Sequence, residues 1–68
     1  MGLFTKKEET LNERIKKLRK KIGMTQLELA EKVHVTDKAV SKWETGEGNP
    51  EITILIELAK IFKVSFLQ

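Results

Sequence analysis

Three residues in this chain have types that could do covalent chemistry together: His34, Asp37 and Ser41. They match the base, the orienting acid and the nucleophile that activate a serine hydroxyl. Their spacing defeats that reading. Asp37 and Ser41 fall one turn apart on a helix face turned to solvent, with no glycine-rich elbow, no pair of amides for an oxyanion and no room for a pocket. The 68 residues hold no cysteine and one histidine, which removes a disulfide framework and any thiolate or all-histidine metal site. No catalytic residue, metal ligand, cofactor or small-molecule substrate is expected, and His34 reads as a turn residue. The chemistry left is hydrogen bonding and charge. Asp37, Lys38, Ser41, Lys42 and Thr45 put polar side chains on the outward side of one short helix, a face offered to a partner.

The elements that must position this face lie in residues 25–46, TQLELAEKVHVTDKAVSKWETG. Thr25 with Glu28 forms a capping box, and Met24 with Leu29 forms a hydrophobic staple, so a helix starts here. Val33, His34 and Val35 interrupt it. Thr36 offers a second cap, stapled by Val35 and Val40, and a second helix runs from about Asp37 to Thr45. On the helical wheel Ala39, Val40 and Trp43 share the packing face, while Lys38, Ser41 and Thr45 point away, flanked by Asp37 and Lys42. Ala30 lets the two helices cross closely after a three- or four-residue turn. The pattern is a helix-turn-helix.

Gln26, Ala30, Val35, Val40, Trp43, Glu44, Gly46 and the Asn49, Pro50 pair carry a family resemblance. Nine residues in register over 25 positions resemble the phage-repressor (Cro/C1) and xenobiotic-response-element (XRE) type of DNA-binding domain, over residues 13 to 66. The resemblance implies an all-α, lambda-repressor-like domain: a compact bundle of four or five helices that binds double-stranded DNA as a transcriptional regulator, a repressor by default. It implies base-reading roles for Asp37, Lys38 and Lys42, with Ser41 nearby. Lysine would donate to guanine; aspartate would accept from the cytosine amino group or serve only the helix dipole. It implies phosphate contacts by Gln26, Thr36 and Thr45, and a partly buried ion pair between Arg19 and Glu44. The family usually has glycine at the position of His34, where the chain takes positive φ. Histidine tolerates that region better than most residues with a Cβ. The family often has a basic residue where Glu47 stands, so a single subunit should bind modestly; a homodimer on a palindromic operator would compensate.

The rest of the chain frames this unit. Residues 1–9 show no sustained period and read as a flexible arm, in which Leu3 and Phe4 are available to dock; residues 10–68 form the domain. Thr10 and Glu13 make another capping box, and Leu11, Ile15, Leu18 and Ile22 form the stripe of a first helix running to about Ile22 and closed by Gly23. Net charge is +3, but residues 1–24 hold eight Lys or Arg against three acids, while residues 25–50 hold three against five. A basic first helix is the footprint of phosphate binding and equally of a solvated lysine face. Pro50 suits the first position of a fourth helix, whose stripe of Ile52, Leu55, Ile56, Ala59 and Phe62 should close the core. A second stripe, Ile54, Leu58 and Ile61, of which the core absorbs Leu58, suggests a self-association surface or a dock for a further C-terminal segment, and equally suits a helix buried on more than one side. Ser65 reads as the cap of a fifth helix, either vestigial or cut short. No signal-peptide core, membrane span or myristoylation motif is present, so a cytoplasmic chain is expected. The rival function is a protein-interaction module, antitoxin-like, that keeps the fold and binds DNA weakly.

Overall fold

The structure is a computed structural model describing residues 9–66. The arm carrying Leu3 and Phe4, and residues 67 and 68 that would open a fifth helix, lie outside the described residues. Four helices follow in order: α1 (Leu11–Lys21), α2 (Gln26–Lys32), α3 (Asp37–Thr45) and α4 (Ile52–Phe62).

Local polar chemistry sets the helix starts. Thr10 and Thr25 each accept a hydrogen bond from the amide three residues on, and Glu13 and Glu28 return it to the cap amide, completing two capping boxes. Thr36 accepts from the Ala39 amide in the same way. Every helix exits through a residue at positive φ: Gly23 at 80°, His34 at 62°, Gly46 at 87° and Lys63 at 58°. Each exit carries a hydrogen bond spanning five residues, from Met24 to Arg19, Val35 to Ala30, Glu47 to Lys42 and Val64 to Ala59, which satisfies a carbonyl the helix leaves open. Glycine meets this requirement at two of the four corners. His34 and Lys63 meet it with a Cβ, at a cost of roughly 1 kcal/mol each.

The core is Ile15, Leu29, Ala30, Val33, Val40, Trp43, Leu58 and Phe62. α3 lies against both α2 and α1, and Ala30, fully buried, is the small residue at that crossing.

Three expectations are corrected. α1 ends with Ile22 as its cap and Gly23 beyond it, as expected, but Ile22 is 45% exposed rather than in the stripe. Pro50 is buried but sits one residue before the cap of α4, Glu51, which makes no side-chain capping bond. The largest correction concerns the phase of α4. Ile54, Leu58 and Ile61 face the core, with Leu58 fully buried, while Ile52 and Ile56 stand 59% and 46% exposed. Of the readings of this stripe, the buried helix is the one that fits, since Ile54 and Ile61 pack against the core beside Leu58 instead of forming an exposed face. α4 carries only Thr53, Glu57 and Lys60 as polar residues, so apolar spacing fits several faces, and the buried one is rotated by about a third of a turn from the expected stripe.

Candidate nucleic-acid interface

α3 is displayed by what lies beneath it. Val40 and Trp43 are buried in the core and Ala39 is half-buried, which leaves Asp37, Lys38, Lys42 and Thr45 exposed on the opposite side, with Ser41 half-buried at the margin. Among the described residues neither Lys38 nor Lys42 is held in an ion pair. Their ammonium groups remain available to a ligand.

The carboxy-terminal half of α3 is anchored by charge. Arg19 Nε donates to Glu44 Oε2 at 2.6 Å and Nη2 to Oε1 at 3.0 Å, a fork-to-fork pair joining α1 to α3. The Glu44 side chain is 2% exposed and that of Arg19 10%, so this is an interior pair. Arg19 Nη1 also donates to the Met24 carbonyl at 2.8 Å, holding the corner before α2. Burial alone would push the Glu44 carboxyl up. The hydrogen bonds from Arg19 and Gln26, with the charges of Arg19 and Lys16, outweigh it and hold the group below its ordinary value.

Gln26 opens α2, and its Nε2 donates to Glu44 Oε1 at 3.1 Å. One amide hydrogen is thereby committed to α3, and the second is left for an outside acceptor. The Thr36 hydroxyl oxygen accepts from Ala39, leaving its own hydrogen free to donate. Thr45 differs, since its hydroxyl donates back to the Lys42 carbonyl at 3.3 Å; a phosphate contact from Thr45 would require that bond to break. His34, Asp37 and Ser41 are joined by no hydrogen bond among the described residues, and no cluster of His, Asp and Glu there would hold a metal ion.

Sequence reasoning passes over Asn12 and leaves Arg14 on the solvated side of α1. Asn12, near the start of α1, donates from Nδ2 to the Trp43 carbonyl, the Gly48 carbonyl at 3.4 Å and Asn49 Oδ1 at 3.3 Å. Its signal was an asparagine inside a helix, where the residue is disfavoured unless it has a partner. Arg14 stacks over Phe66, 4.9 Å from the ring centroid, and donates to the Ser65 carbonyl, fastening the chain after α4 to α1. A groove lined by Ile52, Leu55, Ile56, Ala59, Val64 and Phe66 runs along the outside of α4. No residue of α2 or α3 lines it.

A helix-turn-helix family model matches residues 15–68. The chain is 41% identical over 54 residues to the HTH-type transcriptional activator BcrR of Enterococcus faecalis, covering 79% of this chain and 26% of that protein. It is 34% identical over 56 residues to the HTH-type transcriptional regulator ImmR of Bacillus subtilis, covering 82% of this chain and 44% of that protein. The chain thus spans less than half the length of either relative. Among solved structures, the P22 c2 repressor in complex with a synthetic operator superposes with a TM-score of 0.80 at 34% identity, over 85% of this chain and 88% of that one.

Proposed function

The chain belongs to the helix-turn-helix family, and from that membership we propose that it is a sequence-specific regulator that binds duplex DNA with α3 in the major groove. The observation that carries the proposal is the exposed face of α3, whose Lys38 and Lys42 are in no ion pair among the described residues, on a fold that superposes, at a TM-score of 0.80, on a repressor solved on operator DNA. Residues 10–68 would be the DNA-binding domain and residues 1–9 an arm. Asp37, Lys38 and Lys42 are the proposed base readers, with Ser41 at the edge. Gln26 and Thr36 each keep a donor for phosphate, and Thr45 would join them by releasing its intrahelical bond. The activity is binding rather than catalysis, exerted in the cytoplasm, and occupation of an operator that overlaps a promoter would repress by exclusion.

We propose further that it reads a palindrome as a homodimer, its two α3 helices about 34 Å apart. The groove beside Ile52 and Ile56 supports this, because an isologous contact there would leave α3 free on both copies. It is equally what the rival reading, a protein-interaction module, would use.

Selection of bound sequences from a random DNA pool tests both. Enriched half-sites with dyad symmetry, bound with an affinity that falls steeply as salt rises, are the expected result. Failure to enrich any sequence would sink the regulatory reading. Ile56→Glu should then leave single half-site binding intact and abolish cooperative binding to the full palindrome; unchanged cooperativity would remove the dimer from α4.

A further inference from the structure

We infer that Asn12 is a positioning residue for the reading helix, clamping the end of α3 and the loop after it to α1 so that the outward side chains meet DNA in one orientation. The inference rests on the proposed DNA-binding function but concerns a residue far from the α3 surface in sequence, on a different helix.

All three partners of Asn12 Nδ2 are oxygens, the carbonyls of Trp43 and Gly48 and the side chain of Asn49. The Trp43 and Gly48 carbonyls can only accept, so the amide nitrogen must face them. Trp43 lies in the last turn of α3, where carbonyls have no intrahelical donor. The neighbouring Lys42 carbonyl collects the amides of Gly46, Glu47 and Gly48 and the Thr45 hydroxyl. Trp43 is left to Asn12.

One side chain thus spans three segments: the first turn of α1, the last turn of α3 and the 46–50 loop. Gly46 supplies the positive φ, 87°, that turns the chain back here. A Cβ on Gly46 would stand 4.0 Å from Asn12 Oδ1, and one on Gly48 would stand 3.8 Å from Lys42 Cβ, so the loop folds back beside a proposed base reader. The middle of α3 is fixed independently, by Val40 and Trp43 in the core and by Glu44 on Arg19. Without Asn12 the helix keeps its seat, but its far end and the loop lose their tether. Lys42 and Thr45, at that end, would move most. A site held to within about 0.5 Å discriminates, whereas one that wanders binds several sequences nearly alike.

The test compares wild type, Asn12→Ala and Asn12→Asp on the selected site and on its single-base variants, with folding followed by circular dichroism. Asn12→Ala should weaken the preferred site by about tenfold, the equivalent of one lost tethering hydrogen bond, with little loss on the variant sites. Asn12→Asp keeps the shape and suits the positive end of α1, yet sets an acceptor against the two backbone carbonyls, so it should lose discrimination at least as far while staying folded. If both variants are folded and discriminate as wild type does, Asn12 is structural only and the inference is overturned. Amide exchange gives a readout that needs no DNA: the Glu47 and Gly48 amides should exchange faster in Asn12→Ala, and unchanged rates would overturn the tether. A wild type that selects no DNA would sink the regulatory reading and leave the exchange measurement to decide the tether by itself.

Discussion

The α2–α3 pair and α4 are held by different forces. α2 and α3 each begin on a threonine that caps its own first turn, and they are tied to each other and to α1 by the Arg19, Glu44 and Gln26 network. α4 begins on Glu51 with no side-chain cap and, among the described residues, shows only an exposed pair, Lys60 with Glu57 at 3.8 Å. It stays because Leu58 and Phe62 are buried and Ile54 and Ile61 pack beside them. Directional bonds fix orientation to fractions of an ångström, whereas apolar burial fixes only that some face is covered. The half with the directional bonds carries the face proposed to read DNA, and the half without them carries the open apolar groove.

The widest test of this contrast pits one ion pair against the other. Removing Arg19 strands the Glu44 carboxylate in the interior, so Arg19→Ala should cost about 3 kcal/mol or more, while Lys60→Ala on α4 should cost under about 0.5 kcal/mol. A double-mutant cycle between Arg19 and Glu44, measured by chemical denaturation, should give a coupling above about 1 kcal/mol; a value near zero would erase the distinction between the two halves. The pair also predicts a pH dependence. Because the folded state holds the Glu44 carboxyl below its ordinary value of 4.5, its contribution is complete above the unfolded value and disappears as pH falls through the depressed folded value. Wild type should therefore lose stability below about pH 4.5, more steeply than Glu44→Gln.

The same contrast explains what could be read from the chain in advance. Capping is local, so Thr10, Thr25 and Thr36 declare their helices through residues three positions away. α3 has enough polar residues to fix its phase, and Asp37, Lys38 and Lys42 are exposed while Val40 and Trp43 are buried. α4 has too few, and its buried face is chosen by where the chain arrives after buried Pro50 rather than by its own pattern. The bond from Gln26 to Glu44 spans 18 positions and that from Asn12 to Trp43 spans 31. No local rule reaches so far. Either had to be seen in three dimensions.

The next effect asks whether the better-anchored half is the one that reads. Lys42→Ala should cost about 1 to 3 kcal/mol on the preferred site and less on others, relaxing preference at one base pair per half-site. Gln26→Ala should weaken all sequences alike, and because its amide also serves Glu44 it should lower the melting temperature, which Lys42→Ala should not. Binding of both variants to a panel of single-base changes decides the matter. If Lys42→Ala also weakens every sequence equally, α3 is not the reader.

The smallest effect compares the two corners that lack glycine. His34, at φ 62° between α2 and α3, is exposed, and its side chain makes no hydrogen bond among the described residues. Replacing it by glycine should remove strain of roughly 1 kcal/mol, less the greater freedom glycine has in the unfolded chain. The net should be a small rise in melting temperature. Lys63 has almost the same backbone, φ 58°, and the same five-residue bond beside it. Its surroundings differ, because Lys63 lines the α4 groove with Ile52, Leu55 and Ala59, where its aliphatic stem covers apolar surface. Lys63→Gly removes that cover together with the strain. His34→Gly should therefore stabilise the chain more than Lys63→Gly does, although strain alone would make them equal. Thermal denaturation of the two variants beside wild type measures the difference. Equal gains would mean that the groove draws nothing from the Lys63 stem, and a fall for His34→Gly would mean that the imidazole makes contacts worth more than the strain it carries.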